Sequence, residues 1–220
     1  MKTEEKQVQY QITNSYTTLN ELNKHTKNIW IVCHGIGYLS RYFLRYFNEL
    51  PAEENYIIAP QAQSKYYLNQ QYKHVGASWL TKENTAVEMQ NVLAYLDTLY
   101  RTEKIPQHCK HLNCKLIVFG YSQGVSIATR WVAKSSIPCS HLVLHSGSIP
   151  HELTPKDFTR FNAHKTPVSV IVGDADEYLT AGNMELEQEK MDRLFQGSAK
   201  LSIFNGKHEV YKPLINAIVD

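Results

Sequence analysis

Apolar residues fall along this chain in two kinds of pattern. Short strands are expected over 141–144, 167–172 and 200–204, and short continuous runs mark three more: Ile-Trp-Ile-Val-Cys within 28–33, then 56–59 and 116–119. Unbroken apolar runs of this length fit strands buried on both faces of a sheet. Between them apolar residues return at helical spacing. Phe43, Leu44 and Phe47 predict a helix over 41–50, closed by Pro51. Val87, Val92, Leu93, Leu96 and Leu99 predict one over 82–103, ended by Pro106. Further helices are expected over 125–133, over 182–195 and in a short last segment toward Asp220. Weak alternation of Val8, Tyr10 and Ile12 suggests an edge strand over 7–13, with a polar loop over 14–27. Residues 61–81 read as a long irregular loop rich in Tyr and Trp, a composition that argues against disorder. Strands that alternate with helices predict an α/β fold, a mostly parallel central sheet with helices on both faces.

Composition narrows the class. At 220 residues with 43% hydrophobic content, the chain suits a single α/β domain over 1–220, its polar segment 1–27 carrying the edge strand. The formal net charge is only +2, which gives no electrostatic case for nucleic acid or an anionic membrane. No run approaches the roughly 18 apolar residues of a spanning helix, so no stable membrane insertion is expected. The first 28 residues lack the apolar centre of a secretory signal, and the four cysteines show no disulfide-framework spacing. A cytoplasmic location is the expectation.

Chemistry concentrates where runs end, the position at which parallel sheets carry their reacting groups. The run 116–119 leads into Gly120-Tyr121-Ser122-Gln123-Gly124 and then a helix. Strand, tight turn, helix with a serine at the apex is the context of a nucleophile elbow. Glycines two residues either side remove Cβ atoms that would collide with strand or helix. A serine hydroxyl needs a base within hydrogen-bond reach and an acid to orient that base. Ser122 is followed 54 residues later by Asp176 in Gly173-Asp174-Ala175-Asp176, and 32 residues after that by His208 in Gly206-Lys207-His208. That order, serine, acid, histidine, is the order of α/β-hydrolases. Asp174 competes with Asp176 for the acid role. Of the ten histidines, His208 alone lies downstream of the acid after the last strand. His34 suits bracing of a glycine turn, and His145, beside Ser146-Gly147, suits a packed role.

The four segments Gly120–Gly124, His34-Gly35-Ile36-Gly37, Gly173–Asp176 and Gly206–His208 together resemble the phospholipase/carboxylesterase family, which includes the acyl-protein thioesterases. The similarity runs from about Asn28 to the last helix. It implies an α/β-hydrolase fold without a large lid, no cofactor, and hydrolysis of acyl esters or thioesters. It selects Asp176 over Asp174. The oxyanion of a tetrahedral intermediate requires two aimed donors, and the backbone N–H groups of Ile36 and Gln123 are the expected pair. Gly37, Trp79 and Tyr121 are candidate substrate-contacting positions. Two departures from the family stand out. Val125 replaces a frequent glycine, which predicts a less close approach of helix to sheet, and Leu179 replaces a common valine. A peptidase or amidase on the same fold, or a binding protein without chemistry, are the rival readings. The run His108-Cys109-Lys110-His111-Leu112-Asn113-Cys114 has four metal-ligating side chains, but it reads as one loop and its spacing matches no zinc pattern, so no metal is expected.

Overall fold

The structure is a computed structural model that describes residues 2–179 and 181–219; Met1, Thr180 and Asp220 lie outside the described residues. Its centre is a seven-stranded sheet of order β1-β3-β2-β6-β7-β8-β9. The strands are β1 (Tyr16–Leu19), β2 (Asn28–Cys33), β3 (Asn55–Pro60), β6 (Lys115–Tyr121), β7 (His141–His145), β8 (Val168–Gly173) and β9 (Ala199–Phe204). All neighbours pair in parallel except β1, which runs antiparallel to β3 at one edge. A separate hairpin joins β4 (Ser64–Tyr67) to β5 (Val75–Ser78).

Every residue of β2 is buried, as a strand covered on both faces requires. Its side chains alternate between two cores. Ile29, Ile31 and Cys33 pack with the helices α2 (Thr85–Thr102), α3 (Ile105–Leu112), α4 (Gln123–Lys134) and α6 (Ala181–Phe195). Trp30 and Val32 pack on the other face with α1 (Ser40–Phe43), the 3₁₀ turn Leu44–Phe47 and α7 (Lys212–Asn216). In β6 the same period of two sends Leu116 and Val118 one way and Ile117 and Phe119 the other. A further 3₁₀ turn, Pro155–Phe158, runs into α5 (Thr159–Ala163).

Several expectations are corrected. Residues 7–13 form no strand: Val8, Tyr10 and Ile12 are 85, 78 and 63% exposed and join neither core. The edge strand is instead β1, inside the segment read as a loop. The aromatic stretch 61–81 contains the β4–β5 hairpin. The run 108–114 is not a loop, because its first part lies in α3, where Pro106 occupies the first turn and so starts one helix rather than only ending another. The helix over 41–50 is one α-helical turn followed by a 3₁₀ turn.

Candidate active site

Ser122 sits between the end of β6 and the first residue of α4 with φ 52° and ψ −119°, a left-handed backbone that an L-residue adopts only under constraint. The constraint is visible. A Cβ on Gly124 would lie 2.0 Å from the Cys33 carbonyl oxygen, and one on Gly120 2.4 Å from that of Gly124. The Ser122 N–H donates to the His145 carbonyl at 2.9 Å, which ties the turn to the end of β7.

The other two sequence candidates meet Ser122 here. His208 Nε2 lies 2.9 Å from Ser122 Oγ, and its Nδ1 lies 2.9 Å from Asp176 Oδ2. With Nδ1–H donating to the carboxylate, Nε2 presents a lone pair to the serine hydroxyl. The Asp176 side chain is fully buried and that of His208 is 17% exposed. Asp176 is held in turn by the Tyr178 N–H, donating to Oδ1 at 3.0 Å. Asp174 does different work: its Oδ1 accepts the Gly206 N–H at 3.0 Å, and so it pins the turn that carries His208. The Tyr121 hydroxyl donates to the His208 carbonyl at 3.0 Å.

The turn after β2 closes against this elbow. A Cβ on Gly35 would come within 3.1 Å of Ser122 Cβ, so the two turns touch. Neither the Ile36 nor the Gln123 N–H has an acceptor among the described residues. The Gln123 amide is also a free donor at the start of a helix, where the dipole favours negative charge. Both residues line a groove of about 560 Å³ that also holds Ser122, His208 and Tyr121. A cavity of about 670 Å³ lies elsewhere, near the amino ends of β7 and β8, but contains neither the serine nor His208, so chemistry rather than size locates the site.

A model of the phospholipase/carboxylesterase family matches residues 14–219. The chain belongs to this family. No curated protein sequence matches it. Solved structures show the same fold at low identity. The Zea mays acyl-protein thioesterase 2 is 18% identical with a TM-score of 0.69, covering 94% of this chain and 96% of that one. A phospholipase/carboxylesterase from Dyadobacter fermentans is 15% identical with a TM-score of 0.65, covering 96% and 98%. The Bacillus cereus carboxylesterase is 14% identical with a TM-score of 0.63, covering 93% and 91%. The fold is that of the α/β-hydrolases, and among the described residues no large lid covers the groove.

Within this phospholipase/carboxylesterase chain, the remaining sequence candidates separate. Tyr121 lines the groove. Trp79 does not: it is buried, its Nε1–H donates to the His34 carbonyl at 2.7 Å, and it braces the turn after β2 instead of forming a substrate wall. Gly37 also lies off the groove, with its N–H given to the Ala77 carbonyl at 2.9 Å. The Gln123 side chain completes the brace, accepting the Trp79 N–H at 2.9 Å and donating to the Leu80 carbonyl at 2.8 Å. Val125 does not hold α4 off the sheet. It is fully buried, and Gly147 makes room for it, since a Cβ there would lie 2.7 Å from Val125 Cγ2. Leu179 lines the groove, as do Tyr38, Ser126, Ser148 and Tyr178, none of which carries a sequence signal. His34 and His145 are both buried and uncharged. Burial lowers His34 to about 4 and His145 to about 3, the latter helped by the nearby His208. No group of three or more ligating side chains suited to a metal ion occurs among the described residues. No helix there is long and apolar enough to cross a membrane.

Proposed function

We propose that this protein is a serine hydrolase that cleaves small carboxylic acyl esters or thioesters through an acyl-enzyme on Ser122. The observation that carries the reading is the unbroken contact from Ser122 Oγ to His208 Nε2 and from His208 Nδ1 to Asp176 Oδ2, each 2.9 Å. His208 takes the serine proton as Oγ attacks the acyl carbon. Buried Asp176 fixes the imidazole tautomer and stabilises the imidazolium that forms. The Ile36 and Gln123 amides receive the oxyanion, a pair of donors already oriented before substrate arrives. His208 then protonates the leaving alkoxide or thiolate, and the same base activates the water that releases the acid. No cofactor enters these steps.

Substrate meets the protein in the open groove, whose lining carries no fixed charge other than the imidazole when protonated, so a neutral acyl group suits it. We read residues 1–220 as one domain. The four cysteines are unpaired, which suits the reducing cytoplasm. A panel of p-nitrophenyl esters, acyl thioesters and the matching anilides tests the bond class. Turnover of esters and thioesters that Asp176→Asn lowers by several orders of magnitude supports the reading. Preferential anilide cleavage would make the protein an amidase instead, and the absence of turnover on every substrate would leave a binding protein.

A further inference from the structure

His145 is fully buried at the end of β7, and none of the steps above uses it. Its position is nonetheless unusual, because it touches both halves of the proton-transfer pair. Its backbone carbonyl accepts the Ser122 N–H at 2.9 Å, on the nucleophile side. Its Nε2 accepts the Tyr211 N–H at 2.9 Å, three residues beyond His208 on the base side. Its Nδ1 lies 3.0 Å from Ser146 Oγ. Because Nε2 accepts an N–H, the ring proton sits on Nδ1 and points at the Ser146 hydroxyl. Tyr121 closes the arrangement. Its ring lies 5.5 Å from His145 and 5.4 Å from His208, and its hydroxyl holds the His208 carbonyl.

Resting on the triad reading above, we infer that His145 is a positioning residue that sets the distance between Ser122 and His208, one end of it gripping the elbow and the other the loop that carries the base. The loop 205–211 follows an edge strand, and Phe204 and Tyr211 stack with ring centroids 4.5 Å apart beside His145. Asp174 and Ala175 hold that loop at Gly206, and the Tyr121 hydroxyl and Asp176 hold it at His208; the His145 ring adds the hold at its far end, on Tyr211. Loss of the imidazole leaves the Tyr211 amide without its acceptor, and the base drifts from the hydroxyl it must deprotonate. A wrong separation of even 1 Å costs on the order of 100-fold in rate.

The test compares His145→Leu, which removes both ring bonds, with His145→Gln, whose amide oxygen can take the place of Nε2 as the acceptor for the Tyr211 N–H. Each is assayed for kcat and KM on a p-nitrophenyl ester alone and combined with His208→Ala, and folding is checked by thermal melting. The inference predicts a large fall in kcat for the leucine variant with KM nearly unchanged, recovery of most of it by glutamine, and no further loss when His145→Leu is added to His208→Ala. Full kcat in a folded leucine variant, equal losses in both variants, or an undiminished effect in the His208→Ala background would overturn it. Should the leucine variant not fold, nitrogen NMR of the wild-type imidazole decides. A proton on Nδ1 supports the anchor, whereas one on Nε2 rules it out. Failure of the triad reading itself looks different, since Ser122→Ala would then keep wild-type turnover.

Discussion

At the residue scale the account turns on Ser122, whose left-handed φ of 52° is held by glycines at 120 and 124 that tolerate no Cβ. A residue in that region stores on the order of 1–3 kcal/mol of strain. Two substitutions separate chemistry from strain. Ser122→Ala and Ser122→Gly should both lose ester turnover, but glycine relieves the backbone and should be the more stable of the two by about 1 kcal/mol, read from chemical denaturation. Alanine equal to or above glycine would mean that the turn is not strained. The candidate residues were legible in the sequence because each follows an apolar run in a glycine turn. The choice between Asp174 and Asp176 was not legible from spacing. It depends on which carboxylate the turn buries beneath His208 and which it leaves to accept the Gly206 amide.

At the element scale the site is two turns pressed together, the elbow after β6 and the glycine turn after β2, with the segment after β5 as the brace. Gly37 bonds Ala77, Trp79 bonds the His34 carbonyl, and the Gln123 side chain bonds Trp79 and Leu80. Replacing Trp79 with Phe keeps most of the packing but leaves the buried His34 carbonyl without its donor, a loss of about 1–3 kcal/mol. Stability should fall by that amount, and kcat should fall more than KM rises, since the Ile36 amide loses its backing. An unchanged kcat would show that the brace does not reach the turn after β2. The hairpin itself was not legible. Its strands are largely exposed at β4, and its turn, Leu68 to His74, contains no glycine or proline to announce it. β1 escaped for a related reason: Tyr-Thr-Thr-Leu at a sheet edge has neither a continuous apolar run nor clean alternation. The exposed 7–13 segment, by contrast, alternates yet joins neither core, which shows that period alone does not make a strand. The buried parallel strands β2, β3, β6, β7 and β8 were legible because burial on both faces leaves almost no freedom in composition.

At the scale of the whole molecule, two buried neutral histidines couple folding to pH. His34 and His145 titrate near 4 and 3 in the folded protein, against about 6.5 when unfolded. Above pH 6.5 or so both states hold them neutral and the stability is fully present. As pH falls below that, the unfolded chain binds protons that the fold refuses, and stability drops by about 1 kcal/mol per pH unit for each histidine. The loss from His34 levels off near pH 4 and that from His145 near pH 3. Denaturant midpoints measured from pH 7 to pH 4 should therefore fall steeply, and His34→Gln should flatten the curve. A midpoint independent of pH across that range would mean that the two rings are accessible to protons in the fold.

The measurement that bears most directly on the central claim is reaction of the intact protein with a fluorophosphonate, followed by peptide mapping of the adduct. The account predicts a single phosphonylated residue, Ser122, with labelling abolished by Ser122→Ala and strongly slowed by His208→Ala. Modification at a different residue, or labelling of Ser122 that proceeds equally fast without the His208 imidazole, would contradict it.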